Sequence, residues 1–447
     1  MKFPRTPPSI SGLLARHADT TEDLMTLFGP GRPVDSRGRY LHWDELRRRK
    51  PPEGLNHEMW WLRTAVARRT MARVLPFSDV DAHPFTFCNV DRIQELVHRI
   101  DQQASGQIVA DEVVTNLQSS DRYLVSSLHE EAITSSQLEG ASTTRRVAKE
   151  MLQSGRQPRD RSEQMILNNF HAMQAAAALA VSGDPLTPGD ILDLHRTVTH
   201  DTLDDERDAG RLQGPEDERI AVVWQDGTVL HRPPSAEELP DRLALLCEFA
   251  NGLSGEGFIH PVVRAILLHF ALAYDHPFAD GNGRTARALF YWSMLRSGYW
   301  LTQYLTISSI LRGAPVQYAR SYLHVETDGG DATYFVLHQL HVIERAIASL
   351  GEYLARKMDE QQRAERLLRD RHDLNHRQHV LISDALRSPD AWFTIQAHER
   401  RHRVAYATAR ADLLNLEAAG LFTRQLVGKQ FVFRPSGDLA AQLDGSN

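Results

Sequence analysis

The run His276-Pro277-Phe278-Ala279-Asp280-Gly281-Asn282-Gly283-Arg284-Thr285-Ala286-Arg287-Ala288-Leu289-Phe290 decides how the rest of the chain is read. Apolar residues Val262, Ile266, Phe270 and Tyr274 recur at helical spacing before it, and Ala286, Leu289, Phe290 and Met294 recur after it. That pattern predicts two buried helices joined by a short turn. In the turn, Gly281, Asn282 and Gly283 permit backbone angles and close approaches denied to bulkier residues, so successive N–H groups can converge at the start of the second helix. A helix start of this kind is an anion site. Arg284 and Arg287, three residues apart, add permanent charge suited to phosphate oxygens. Asp280 would oppose a phosphate that it faced alone, which points to a divalent cation held between them. His276 sits just before this cradle, where a neutral imidazole can take a proton from an incoming hydroxyl near pH 7. A base, a metal ligand and a polyphosphate cradle are the parts needed for attack on a nucleotide phosphate.

Working outward, helical patterns cover about 58–74, 90–103, 120–136, 143–153, 160–182, 188–199, 236–251, 261–274, 283–297 and 334–370, so the chain is mainly α. One segment breaks the habit. Residues 220–231 carry β-branched side chains on either side of Asp226-Gly227, a type I′ hairpin signal. A lone hairpin cannot make a core sheet, and it reads as a flap. Near the C-terminus, helical patterns lead to two strands around Val427-Gly428-Lys429, the order of a winged helix-turn-helix. Residues 392–435 hold seven Lys or Arg against three Asp or Glu, making this region basic in a chain whose net charge is −7. Arg400, Arg401 and Arg403 could track a DNA backbone.

At 447 residues, 42% hydrophobic and 24% charged, the composition excludes wholesale disorder and a disulfide-stapled miniprotein. The acidic balance gives no global attraction to nucleic acid or to an anionic membrane. Cys88 and Cys247 lie far apart without metal-ligand spacing, so two free thiols and a cytoplasmic address are expected. The apolar stretch near the N-terminus contains Arg16, His17 and Asp19, unlike a signal peptide, and no run of apolar residues is long enough to span a bilayer. His83-Pro84-Phe85 repeats the opening of the central run, but no glycine cradle follows it.

The central run resembles the signature of the Fic family, His-Pro-Phe-x-Asp/Glu-Gly-Asn-Gly-Arg-x-x-Arg, and matches it at every specified position. The resemblance implies a Fic-type helical core with a β-hairpin flap, here joined to a C-terminal winged helix-turn-helix. It divides the chain into an N-terminal region (1–110), a Fic catalytic domain (111–350), a connecting helix (351–371), a winged helix domain (372–437) and a tail (438–447). Fic enzymes transfer AMP from ATP to a protein hydroxyl. By resemblance, His276 deprotonates the target Ser, Thr or Tyr, and Asp280 binds Mg²⁺. Asn282, with the amides of Gly281 and Gly283, holds the α-phosphate, while Arg284 and Arg287 contact the β- and γ-phosphates. Phe278 anchors the loop. Gly283 favours nucleotidyl transfer, since relatives that transfer phosphate carry lysine there. The flap, Val222, Val223, Trp224, Thr228, Val229 and Leu230, would pair with an extended target segment by β-augmentation.

A second segment, Thr134-Ser135-Ser136-Gln137-Leu138-Glu139-Gly140, resembles the inhibitory motif Ser/Thr-x-x-x-Glu-Gly/Asn of one Fic subclass, through Ser135, Glu139 and Gly140. Glu139 is expected to pair with Arg287 in bidentate fashion and deny it to the γ-phosphate, giving an inactive resting state. The expected activity is therefore auto-inhibited adenylyl transfer, with ATP and a hydroxyl-bearing target protein as partners. The alternatives are a de-AMPylase in which Glu139 activates water and a DNA-binding regulator whose Fic part senses nucleotide. DNA at the winged helix and a homodimer are further partners left open, and no membrane is expected.

Overall fold

The computed structural model describes residues 2–17, 31–104, 117–224, 226–255, 257–369, 373–387, 391–427, 430–437 and 439–443. The break expected at 105–106 and the turn expected at 428–429 lie outside the described residues. The chain divides into two compact units, Met1–Ala348 and Ser349–Asn447.

The first unit opens with α1 (Ile10–His17), α2 (Trp43–Leu46) and α3 (His57–Met71), whose side chains Leu13, Leu46, Trp60 and Trp61 form a small core. The helical pattern expected to reach residue 74 stops at Met71, and β1 (Ala72–Ser78) pairs antiparallel with β2 (Pro84–Cys88). Phe85 of the repeated His-Pro-Phe tripeptide lies in β2 and packs edge-on against Phe270 and Tyr274. Next come α4 (Asp91–Ala104), α5 (Leu117–Leu138), α6 (Arg145–Ser154), α7 (Arg161–Ser182) and α8 (Pro188–Thr199). Helix α8 starts where the sequence dictates. Pro188 takes N1, where its missing N–H costs nothing, and Thr187 and Asp190 cap each other's backbone in a reciprocal box.

The hairpin follows as β3 (Val222–Val223) and β4 (Val229–His231). Its turn differs from the expected type I′. Among the residues that bracket it, Gly227 has φ 82 while Asp226 does not enter the positive-φ region. Gly227 N–H donates to the Trp224 carbonyl, and Trp224 N–H donates to Thr228. Among the described residues of the turn, glycine alone takes the left-handed position, whereas a type I′ turn needs it at both central residues.

Helices α9 (Leu239–Ala250), α10 (Pro261–Asp275) and α11 (Asn282–Arg296) then build the centre, followed by α12 (Ile307–Gly313), α13 (Pro315–Thr327) and α14 (Thr333–Arg369). Almost every residue of α11 from Asn282 to Met294 is buried, so it runs through the core and brings Arg284 and Arg287 with it. Cys88 and Cys247 are free, buried thiols.

In the second unit, α15 (His376–Arg387), α16 (Ile395–His402) and α17 (Tyr406–Ala418) precede the ribbon β5 (Phe422–Val427) and β6 (Gln430–Pro435), registered from Phe422–Pro435 to Val427–Gln430. Phe393 bridges to Phe433, and Leu381, Leu413, Leu416, Phe422 and Phe433 form the core. Three helices thus precede a two-stranded antiparallel ribbon. Leu439–Leu443 form α18, whose two end leucines join that core, where the sequence pattern predicts only a tail. Arg401 is drawn into a pair with Asp384. Among the described residues no helix is long and apolar enough to cross a membrane.

Candidate active site

The loop between α10 and α11 is locked by its own sequence. His276 takes a left-handed conformation, φ 46 and ψ 55, and its N–H closes α10 on the Leu272 carbonyl. Such a φ is uncommon for a residue with a side chain and persists only where neighbours enforce it. Asn282 does part of that. Its Oδ1 accepts from Phe278 N–H at 2.9 Å, its Nδ2 donates to the Phe278 carbonyl at 2.8 Å, and the same Nδ2 lies 3.2 Å from His276 Nδ1. Phe278 is fully buried, as an anchor should be. Gly281, with φ 81, caps α11, and a Cβ there would come 2.8 Å from Thr199 Cγ2. Glycine is thus demanded twice, by backbone angle and by space.

Three residues that the sequence reading did not single out complete the lock. His195 of α8 stacks on Phe278 with ring centroids 3.8 Å apart, places Nε2 2.8 Å from the Asp280 carbonyl, and accepts at Nδ1 from Gly210 N–H. Its proton therefore sits on Nε2. Burial first, together with the nearby Arg284 charge, brings its pKa down to about 4, so it stays neutral near pH 7. Arg219 donates to the carbonyls of Asp275 and His276, and Gln213 N–H donates to Pro277. His195 was legible only as one more member of the buried face Ile191, Leu194 and Val198; Arg219 and Gln213 carried no signal.

His276 is likewise held down to about 4, by burial first and then by His231. The ring is neutral at pH 7, and while Asn282 Nδ2 donates to Nδ1 its proton is on Nε2. His231, in β4, ties the flap to this corner through the Tyr274 carbonyl at 2.6 Å and the Glu326 carboxylate at 2.7 Å.

Asp280 is 44% exposed at the side chain; its Oδ1 accepts from Gly281 N–H, and its Oδ2 lies 3.2 Å from Arg284 Nη2. Arg284 is fully buried, donates to the Val198 carbonyl, and leaves Nε without a partner among the described residues. The accessible Asp280 carboxylate could supply one oxygen ligand to Mg²⁺ if phosphates and water supplied the others, while the neighbouring amides and guanidinium, which only donate hydrogen bonds, suit the phosphate oxygens.

Arg287 points at the other side of the cradle. Its Nη2 lies 2.8 Å from Glu139 Oε1, its Nε donates to Ser135 Oγ at 2.9 Å, and Nη2 also reaches the Ser135 carbonyl at 3.2 Å. The expected bidentate pair is not formed: one carboxylate oxygen and Ser135 share the guanidinium. Burial, the largest influence, opposes the Arg287 charge, but Glu139, Tyr318 and Glu131 together hold the pKa above its ordinary value. Glu139 is placed by the end of α5. Gly140, at φ 96, terminates the helix, with Ala141 N–H returning to Ser136 and Gly140 N–H to Gln137. This closing motif favours glycine at that position. The buried Glu131 carboxylate fastens the same helix to the start of α12 by accepting from Ser308 N–H at 3.0 Å. A Cβ built on Gly283 would meet Glu139 Oε1 at 2.2 Å, so the Glu139 carboxylate lies directly over the glycine of the cradle.

One cavity of about 350 Å³ gathers Glu139, His276, Asn282, Gly283 and Arg287 with Val222, Val223, Trp224 and Leu230 of the flap. Thr228 and Val229, also predicted for the flap, belong to its turn and far strand and do not line it, nor do Asp280, Gly281 and Arg284. His260 caps α10 through Val262 N–H, and His269 is buried against Tyr318.

A helical core around a glycine-capped helix start, with a hairpin flap over it, defines a Fic-type fold. Residues 185–294 match the model of the Fic/DOC family. Protein adenylyltransferase Fic of Drosophila grimshawi is 37% identical over 137 residues, 30% of this chain and 25% of that protein. The protein of the same name from Nematostella vectensis is 32% identical over 123 residues, 28% of this chain and 26% of that one. The matched region thus spans about a quarter of these relatives. The crystal structure of a Fic family protein from Desulfovibrio desulfuricans G20 shares the fold with a TM-score of 0.52 at 20% identity, covering 78% of this chain and 97% of that one. Within this chain, residues 185–294 are thus a region similar to the Fic/DOC family, set in a fold shared with a solved Fic family protein.

Proposed function

We propose that this protein moves AMP from ATP to a Ser, Thr or Tyr hydroxyl of a target protein, and that Glu139 restrains it. The observation that carries the reading is the position of the Glu139 carboxylate, over Gly283 and against Arg287, in the cavity that also holds His276. Neutral His276 is the base. Its free nitrogen is Nδ1, now facing the Asn282 amide, so a target hydroxyl has to displace that contact or the ring has to change tautomer. The amides at the start of α11 and Arg284 receive the phosphates, and Arg287 is the cation that the last phosphate needs. Asp280 would hold Mg²⁺, which offsets charge on the departing pyrophosphate. The flap exposes Ile220, Val223 and Val229, a surface suited to an added target strand.

Restraint follows from geometry. With Glu139 over the cradle, the triphosphate cannot extend to Arg287, and an α-phosphate displaced from the line of attack reacts slowly, since alignment supplies much of the rate in such transfers. Incubation with α-labelled ATP and Mg²⁺ tests the reading. The Glu139→Gly protein should transfer label to protein, and the Glu139→Gly/His276→Ala protein should not. Absence of label in both, or label in both, would remove it.

The accessible Glu139 carboxylate in the same cavity as His276 also favours the reverse reaction, in which it activates water to release AMP. AMP release from a modified target by the native protein, lost in Glu139→Gly, would support that direction.

A further inference from the structure

A larger cavity, of about 1220 Å³, lies elsewhere in the first unit. Helix α13 separates it from the catalytic one: Gln317, Arg320, Ser321 and His324 line the larger cavity, whereas Tyr318 and Tyr322 line the smaller. Six arginines line it against one aspartate and two glutamates. Arg39 is drawn to Asp35, and Arg92 to Glu95 and Glu344. Arg32, Arg37, Arg49 and Arg320 make no ion pair among the described residues. Four of the lining residues, Arg49, Arg320, His324 and His338, also carry a side-chain nitrogen (Nε, Nε, Nε2 and Nδ1) that is sealed beneath the cavity wall without a hydrogen-bond partner among the described residues.

The two guanidinium nitrogens among them are donors, and a buried donor left unpaired costs about 1–3 kcal/mol, so the arginines of this wall are short of acceptors. An arginine can only donate. Its complement is an oxygen-rich anion, and guanidinium forks match phosphate oxygens in particular. His324 and His338 are held down to about 4, by burial first, so near pH 7 they act as neutral imidazoles and the positive charge comes from arginine. The volume exceeds that needed for one inorganic anion and suits a small organic molecule.

The geometry points to this cavity as a second ligand site, separate from the catalytic one, for a small phosphorylated molecule held by Arg37, Arg49 and Arg320. None of these residues belongs to the AMP-transfer machinery, so the site stands or falls independently of the proposed activity.

Inorganic pyrophosphate is the probe, added to the full chain without divalent metal and with NaCl controls of equal ionic strength, while thermal unfolding is followed. Native protein and Arg287→Ala, which cripples the catalytic phosphate site, should both show a saturable rise in melting temperature. Arg37→Ala/Arg320→Ala should lose it. Should the double variant misfold by circular dichroism, Arg37→Glu, a change at an exposed position, should weaken the apparent affinity by about tenfold, the scale of one lost charge contact. A rise abolished by Arg287→Ala, one retained by both arginine variants, one reproduced by NaCl, or none at all would overturn the site.

Discussion

Replacing Glu139 should raise activity and lower stability together. The Arg287–Glu139 contact is one charge-assisted hydrogen bond of 2.8 Å, with the Glu139 side chain 31% exposed. Hydrogen bonds to charged groups contribute about 1.5–3 kcal/mol, and partial exposure places this one near 1.5–2 kcal/mol. At about 1.4 kcal/mol per tenfold, Glu139→Gln should speed AMP transfer by roughly 10- to 30-fold. Glu139→Gly should exceed that, because it also empties the space above Gly283 into which Oε1 now projects. Without nucleotide, both variants take the only carboxylate from the buried Arg287 guanidinium's hydrogen bonds, Glu139→Gln leaving a neutral amide acceptor in its place and Glu139→Gly none. A loss of about 1–2 kcal/mol should lower the melting temperature by a few degrees. ATP should restore part of it, as the γ-phosphate takes the vacated place. Initial rates with α-labelled ATP, together with melting curves with and without ATP, check both arms. Rates equal to the parent, or faster rates with unchanged melting, would refute the claim that this contact is the restraint.

His195→Ala removes a buried ring that satisfies the Asp280 carbonyl and the Gly210 N–H and supports Phe278; a loss of about 3 kcal/mol in denaturant unfolding, with slower transfer in the Glu139→Gly background, is expected. Gly140→Ala must hold a side chain at φ 96, costing about 1–2 kcal/mol. The strained helix end should release Glu139 and raise labelling above the parent. Folded-state pKa values depressed to about 3 for His42 and His269, and to about 4 for His195, His276, His324 and His338, mean that the unfolded chain binds more protons below pH ~6.5. Stability is then full above that pH and falls on acidification toward about 4, by about 1.4 kcal/mol per pH unit for each histidine in mid-window. Asp275 and Asp328, raised to about 6 by burial, act in the opposite sense but are fewer. Urea midpoints that fail to drop between neutral pH and about 5 would contradict this.

Local information carried most of the reading. The helix–turn–helix around His276, the ends of α8 and the glycine that stops α5 are set by interactions between residues only a few positions apart, and such patterns are visible in a single chain. The ribbon β1–β2 was not legible. Residues 72–74 continue a helical pattern, and what makes them a strand lies far away: Phe85 buried against α10, and Thr86 exchanging backbone hydrogen bonds with Gly330 and Ala332. His195 and Arg219 were missed for the same reason, since they reach carbonyls 85 and 57 positions along the chain. The bidentate Glu139–Arg287 pair was a reasonable default for a guanidinium and a carboxylate. It did not foresee that Ser135, one turn earlier on the same helix, takes half of the fork.

Gly283 ties the two halves of the site together. Its lack of a side chain clears room above the cradle, and the Glu139 carboxylate occupies that room. A methyl group at this position would overlap Glu139 Oε1 at 2.2 Å and Cδ at 2.9 Å, and the nearest atom outside Glu139, Arg287 Nη1, lies at 3.1 Å. Oε1 is the mobile end of its side chain, so in Gly283→Ala it is Glu139 that yields, and the pair with Arg287 goes with it. Once Glu139 is gone, the same methyl meets only a guanidinium tip that can shift by a few tenths of an ångström. The two substitutions therefore should not add: Gly283→Ala destabilises the parent more than it destabilises Glu139→Gly, with a coupling of about 1–2 kcal/mol, as expected for residues in direct contact. A double-mutant cycle in urea measures it. Additive effects would mean that the carboxylate does not rest over Gly283, and the competition between Glu139 and nucleotide for that volume would have to be abandoned.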